Sequence, residues 1–224
     1  MSTAIHQKPK EHELADHIEQ LEANLARQLP AEMLHGFEGA IQTLVNGGIT
    51  ANAVNVGQKA PDFSLPNQVG DTVSLDSVLQ RGPAVVVFYR GEWCPYCDLT
   101  LRAYQRILPS ITALGASLIA ISPQTPDSTL TTVEKKQLTF SVLSDVGNVV
   151  ARNYGLVFVT PEPARHPGIS AANGDESWEL PMPATFIVAQ DGTIRLAFVD
   201  ADWTHRLEPA ELLKALESVA TNKE

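Results

Sequence analysis

Cys94 and Cys97 are the only two cysteines of this 224-residue chain, and they stand three apart in FYRGEWCPYC, residues 88–97. If a helix begins there, that spacing puts both sulfurs at one helical end, close enough to close a short-loop disulfide or to share one proton. A cysteine at a helix N-terminus faces unpaired backbone N–H groups and the positive end of the helix dipole, which favour thiolate over thiol. Thiolate is the species that attacks a disulfide sulfur or the terminal oxygen of a peroxide. Cys94 fits the cap or first helical position, Pro95 suits the first turn because it needs no N–H donor, and Cys97 sits one turn further in. The second thiol is then placed to resolve whatever the first one forms. Two cysteines are too few to staple a scaffold, so a disulfide between them would be catalytic or sensory. A zinc centre wants about four ligands, and the six histidines are scattered. Two inert buried thiols are the remaining alternative.

Around the pair, Arg90 lies four residues before Cys94 and offers a positive charge, whereas Arg195 in a later segment is a weaker source of one. Trp93 adjoins the first sulfur and reads as a wall of a substrate groove. Tyr89 ends an apolar run and reads as a core ring reaching a polar edge. Glu92 reads as a solvated loop charge, and His166 and His205 stand in no local acid–base pattern.

These residues need elements to hold them. The run AVVVFY, residues 84–89, is continuous and partly β-branched, as expected of a strand covered on both faces, and residues 97–114 suit the helix that follows. Further along come a strand at 116–122, a helix at 127–137, a short strand at TFSVL, and a helix from Asp145 to Tyr154 that Gly155 stops. ATFIVAQDGTIRLAFV forms a hairpin about Asp191-Gly192, and EPAELLKALESVA supplies a terminal helix. Before the strand, Asn55–Leu79 reads as a small hairpin leading into a short helix. The proline-rich stretch from Phe158 to Met182, with the acidic GDESWE and the aromatic Trp178, reads as a long loop that shapes a groove or a subunit contact.

Strands that first alternate with helices and then end in a hairpin predict an α/β fold with a central mixed β-sheet flanked by helices. Residues 1–10 read as frayed. Leu14, Ile18, Leu21, Leu25 and Leu29 mark one helical stripe ending near Pro30, and Met33, Phe37, Ile41 and Leu44 mark a second that Gly47-Gly48 closes. This divides the chain into an N-terminal helical arm, 1–54, and a main domain, 55–224. The arm is expected to cover its own domain or to make a homodimer contact.

With 26 acidic against 16 basic residues the formal net charge is -10, which repels phosphate backbones and anionic lipid. Nucleic-acid and membrane partners are therefore not expected. The opening residues hold no apolar leader segment and no stretch reaches spanning length, so the expected location is cytoplasmic.

WCPYC after an apolar strand resembles the active site of the thioredoxin superfamily, and APDFSLPN, VVVFYRG, LIAISPQ and PATFIVAQDGTIR are similar to the AhpC/TSA peroxiredoxin-like proteins. The resemblance covers about residues 55–220 and implies a thioredoxin-like fold. It implies a thiol-dependent peroxidase that reduces hydrogen peroxide or organic hydroperoxides through a Cys94/Cys97 dithiol–disulfide cycle. An external reductant such as thioredoxin, glutathione or another thiol would reset the pair, and no flavin, haem or other cofactor and no metal is implied. A thioredoxin-like thiol–disulfide oxidoreductase is the alternative activity, and a redox sensor or binding module without turnover is a third. Peroxiredoxins carry a threonine three residues before the attacking cysteine, which would make Cys97 the nucleophile and put Cys94 in the threonine position. The thioredoxin pattern makes Cys94 the nucleophile instead, so the two patterns leave the order open. Pro183 stands where peroxiredoxins usually place an arginine, and MPATF matches the cis-proline that thioredoxin-like reductases set beside their cysteines.

Overall fold

The computed structural model describes residues 11–221, so the segment 1–10, read above as frayed, lies outside the described residues. Helices α1 (Glu13–Gln28) and α2 (Ala31–Asn46) form the arm, with Pro30 capping the second and Gly47 following it. A short antiparallel pair, β1 (Ser64–Pro66) and β2 (Thr72–Ser74), leads into α3 (Leu75–Leu79). Then come β3 (Ala84–Phe88), α4 (Pro95–Ala113), β4 (Ser117–Ser122), α5 (Pro126–Lys136), β5 (Ser141–Ser144) and α6 (Val149–Asn153). The chain continues through β6 (Val157–Val159), α7 (Pro167–Asn173), β7 (Glu179–Pro181), β8 (Ala184–Val188), β9 (Ile194–Val199) and α8 (Pro209–Thr221).

The central sheet has the order β5-β4-β3-β8-β9. β3 pairs parallel to β4 and antiparallel to β8, so the sheet is mixed and the fold is thioredoxin-like α/β. β3 is buried along its whole length, and alternation along it sorts the core into two layers. Ala84, Val86 and Phe88 join Phe186, Tyr154 and the arm residues Ala40 and Leu44 on one face. Val85 and Val87 join Leu101, Ile111, Leu212 and the arm residue Leu14 on the other. The arm thus covers its own domain with both helices, one on each layer.

Two long-range contacts fix the arm. The Glu208 carboxylate, just before α8, accepts the backbone N–H of Leu14 at 3.2 Å and of Ala15 at 2.7 Å, satisfying orphan donors in the first turn of α1. At the other end of the arm, Val54 donates to the Tyr154 carbonyl. Gly155 beside it has φ +70°, and a Cβ there would lie 2.0 Å from the Asn52 carbonyl oxygen, so both the turn and the close approach require glycine.

Three expectations need correction. The stretch Phe158–Met182 is not one loop: β6 and β7 pair antiparallel and α7 lies between them. Short pieces broken by prolines show too little periodicity to be read from sequence. The helix placed at Asp145 starts later, at Val149, because the buried Asp145 carboxylate accepts the N–H groups of Val150 and Ala151 and so lies outside the helix it serves. The Met182–Pro183 peptide is trans. Met182 donates to the Leu156 carbonyl and β8 begins at Ala184, so the chain runs extended through the proline with no reversal for a cis bond to make.

Candidate active site

β3 ends at Phe88 and α4 begins at Pro95, and the six residues between them carry Arg90 and Trp93 to the helix start. Cys94 is the N-cap of α4: its backbone is extended, and its sulfur accepts the Cys97 N–H at 3.3 Å. Thiol sulfur here takes the place that a serine or aspartate oxygen usually fills at a helix start. Arg90 Nη2 donates to the same sulfur at 3.2 Å. Both sulfurs are buried, at 0% and 1% exposure.

A second guanidinium comes from far along the chain. Arg206 Nη2 lies 3.6 Å from Cys97 Sγ, reaching it from the segment between β9 and α8. Its Nη1 donates to the carbonyls of Trp203 and His205, which holds the head group in place. Two cations therefore converge on two sulfurs. Burial opposes ionisation of Cys97, but the hydrogen bond from Cys94, then Arg206 and Arg90, hold its thiol well below the ordinary value. Burial and the hydrogen bond to Cys97 push the Cys94 thiol up, and Arg90 offsets only part of that. The first proton therefore leaves the pair readily, helped by both guanidiniums, and the second reluctantly, because two buried charges so close oppose each other.

Arg90 is itself fixed by aromatic faces. Its guanidinium carbon lies 5.2 Å from the Trp93 ring centroid and 4.8 Å from that of Trp203. Trp93 folds back over Gly91, whose φ is +152° and where a Cβ would come within 2.5 Å of the indole nitrogen. His166 meets Trp93 edge-on at 4.7 Å between ring centroids. Burial, and then the Arg90 charge, lower the His166 pKa, and its Nδ1 accepts the Gly168 N–H. It is a neutral part of the wall.

The structure thus brings Cys94, Cys97, Arg90 and Trp93 together. Pro183 lines a small cavity together with Cys97, Tyr89 and Arg206, so it neighbours the Cys97 end of the pair although its bond is trans. Arg195 is not at the site, since it pairs with Asp191 on the exposed hairpin. Glu92 faces Lys135. Sequence reading missed Arg206 and Trp203. The one available signal was that Arg206 is the last arginine of the chain and lies in the turn that leads into α8. Among the described residues, no group of three or more His, Cys, Asp or Glu is placed to hold a metal ion, and no helix is long and apolar enough to cross a membrane.

The AhpC/TSA family model matches residues 56–197, well over half of the chain. The chain belongs to the AhpC/TSA family. It is 29% identical over 170 residues to a chloroplastic peroxiredoxin Q of Populus jackii, covering 74% of this chain and 70% of that protein. With the peroxiredoxin Q of Gentiana triflora it shares 30% identity over 145 residues, covering 65% of this chain and 59% of that one. Among solved structures, the peroxidoxin BcpB of Mycobacterium tuberculosis superposes with a TM-score of 0.60 at 21% identity, covering 76% of this chain and 99% of that chain. A peroxiredoxin-like protein of Aquifex aeolicus gives 0.60 at 14% identity, covering 75% and 88%. These likenesses bear out the thioredoxin-like fold. Within this AhpC/TSA chain the arm, Trp203, Arg206 and Glu208 all fall outside the matched residues, so part of the site is built by segments the family model leaves out.

Proposed function

We propose that this chain is a thiol-dependent peroxidase that reduces hydroperoxides by a Cys94/Cys97 dithiol–disulfide cycle. The observation that carries this reading is Arg206 at Cys97. The peroxiredoxin arginine is absent at position 183, and a guanidinium from another segment stands at the sulfur in the peroxidatic position of the pattern. Buried sulfurs favour the same conclusion over disulfide reduction, because a small peroxide needs far less access than a protein disulfide does.

In the proposed cycle the Cys97 thiolate attacks the terminal oxygen of ROOH. The sulfur electron pair forms the S–O bond, the O–O bond breaks, and its electron pair leaves on the alkoxide, which takes the proton held by Cys94. Arg90 and Arg206 donate to the charge that moves from sulfur to oxygen. The Cys94 thiolate so formed attacks the Cys97 sulfenic acid; an S–S bond forms and, with one proton from solvent, water leaves. An external dithiol such as thioredoxin, or two glutathione thiols, then returns two electrons and two protons. Pro183 serves as a wall beside Cys97, and Trp93 holds Arg90 in place.

We further propose that the arm (1–54) and main domain (55–224) are its units, that it assembles as a homodimer and that it works in the cytoplasm. Rapid mixing of the reduced protein with peroxide, followed by tryptophan fluorescence, tests the activity through Trp93. A second-order phase far faster than free cysteine, with one disulfide formed per peroxide, is the expected result. A rate no better than free thiol would move the assignment to disulfide exchange.

A further inference from the structure

A groove of roughly 500 Å³ runs between the arm and the active-site face. Leu25, Leu34, Phe37 and Ile41 of the arm form one wall, and Trp93 and Trp203 form the other. Its inner end is Arg90, the residue that donates to Cys94; neither sulfur lines the groove, so a hydrocarbon body held there touches this guanidinium while the peroxide group must reach past it to the thiols. The volume falls in the range of small-molecule sites, about 300–1,000 Å³, and far exceeds the needs of hydrogen peroxide.

Charge distinguishes this groove further. Glu22 and Glu38 of the arm and Asp202 before Trp203 line it together with the apolar rings. Glu22 and Asp202 line the same groove, and burial, then the Asp202 charge, raise the Glu22 pKa. His205 opposes that rise, but it is itself held by Asp200 and Asp202. The Arg90 charge at the inner end faces the two sulfurs, and His166 is kept neutral. The groove therefore offers hydrocarbon contact inside an acidic frame and no uncommitted cation for an anionic group.

Resting on the peroxidase reading above, we propose that the helical arm builds a specificity subsite for hydroperoxides with an uncharged, bulky hydrocarbon body, and that its carboxylates select against anionic ones such as free fatty-acid hydroperoxides. Apolar surface removed from water by Leu34, Phe37 and the indoles favours the hydrocarbon. Carboxylates a few ångströms from a bound anion disfavour it, in a way that salt screens.

The test compares second-order rate constants of the reduced full chain for hydrogen peroxide, cumene hydroperoxide, and a matched pair, a fatty-acid hydroperoxide and its methyl ester. The expected result is cumene hydroperoxide ahead of hydrogen peroxide and the ester ahead of the acid, each by about tenfold, as one to two screened charge contacts would give. The ester-to-acid ratio should shrink with added salt in the unmodified protein, and move toward one in the double variant Glu22→Gln/Glu38→Gln. Equal rates for ester and acid, or a ratio insensitive to salt, would overturn the charge selection even if that variant folds poorly. Hydrogen peroxide reacting as fast as cumene hydroperoxide would overturn the subsite. Slow reaction with every peroxide is a different result, because it removes the peroxidase reading itself.

Discussion

Arg206 Nη2 and Cys97 Sγ lie 3.6 Å apart across 109 residues of sequence, and this contact joins the turn before α8 to the first turn of α4. Two residues further on, Glu208 caps α1. One short segment therefore supplies a cation to the thiols and an anion to the arm. Positive charge meets the developing thiolate while negative charge meets the positive end of a helix, so each end of the segment is electrostatically matched to what it touches.

Replacing Arg206 with methionine removes the guanidinium that reaches Cys97 while keeping side-chain bulk. The Cys97 thiol should then titrate higher, because Arg206 ranks ahead of Arg90 among the charges that hold it down. Thiolate absorbance followed against pH reads this directly. The rate with hydrogen peroxide at neutral pH should fall by about 10²-fold, the loss typical of one missing donor to a developing oxyanion. An unchanged titration and rate would take Arg206 out of the mechanism.

Arg90→Met should act on both sulfurs, since Arg90 bonds Cys94 and its charge reaches Cys97. The expected result is a slower peroxide reaction together with some loss of stability. A buried guanidinium between two indoles contributes about 1–2 kcal/mol of cation–π attraction, which methionine does not replace in full. Thermal unfolding and thiolate titration on the same variant separate the two effects.

The proposed order of attack makes a sharper prediction about the cysteines. Cys97→Ser should abolish the fast phase with peroxide, because the thiolate is gone. Cys94→Ser should still react once and then stop at a sulfenic acid, detectable as one dimedone adduct per chain. In the unmodified protein the rate should rise with pH through the Cys97 pKa and level off at a lower pH than an ordinary thiol would, because that pKa is held down. The opposite pattern, with Cys94→Ser inert and Cys97→Ser trapped as the adduct, would assign the attack to Cys94.

The part of the site that sequence reveals is the part made by neighbours in sequence. Cys94, Pro95 and Cys97 announce a helix start by spacing alone, and Arg90 falls four residues away, so all four were legible. Arg206 and Trp203 reach the same place through tertiary packing and carry no local pattern. The strand β3 was legible because burial on both faces leaves a continuous apolar run, whereas β6, β7 and α7 were not, being too short to show a period. Pro183 shows the limit of a motif: MPATF places the ring beside Cys97 as its pattern implies, but the backbone extends straight into β8 and the bond is trans. The arm helices were plain from their leucine stripes, but the cap on the first turn of α1 comes from Glu208, nearly two hundred residues away, and has no local signal.

Glu208→Gln tests that last link. Glutamine keeps one acceptor oxygen for Leu14 or Ala15 but removes the charge that faces the N-terminus of α1. A charged cap of this kind contributes about 1 kcal/mol, so the arm should dock less firmly while the central sheet stays intact. Amide hydrogen exchange would then rise over α1 and remain unchanged over β3 and β8, whose hydrogen bonds lie in the centre of the sheet. Because α1 carries Glu22 and Leu25 into the groove wall, the same variant should also narrow the preference for cumene hydroperoxide over hydrogen peroxide. Faster exchange in α1 with an unaltered substrate preference would separate arm docking from substrate choice, and unchanged exchange would show that Leu14 and the remaining packing hold the helix without this cap.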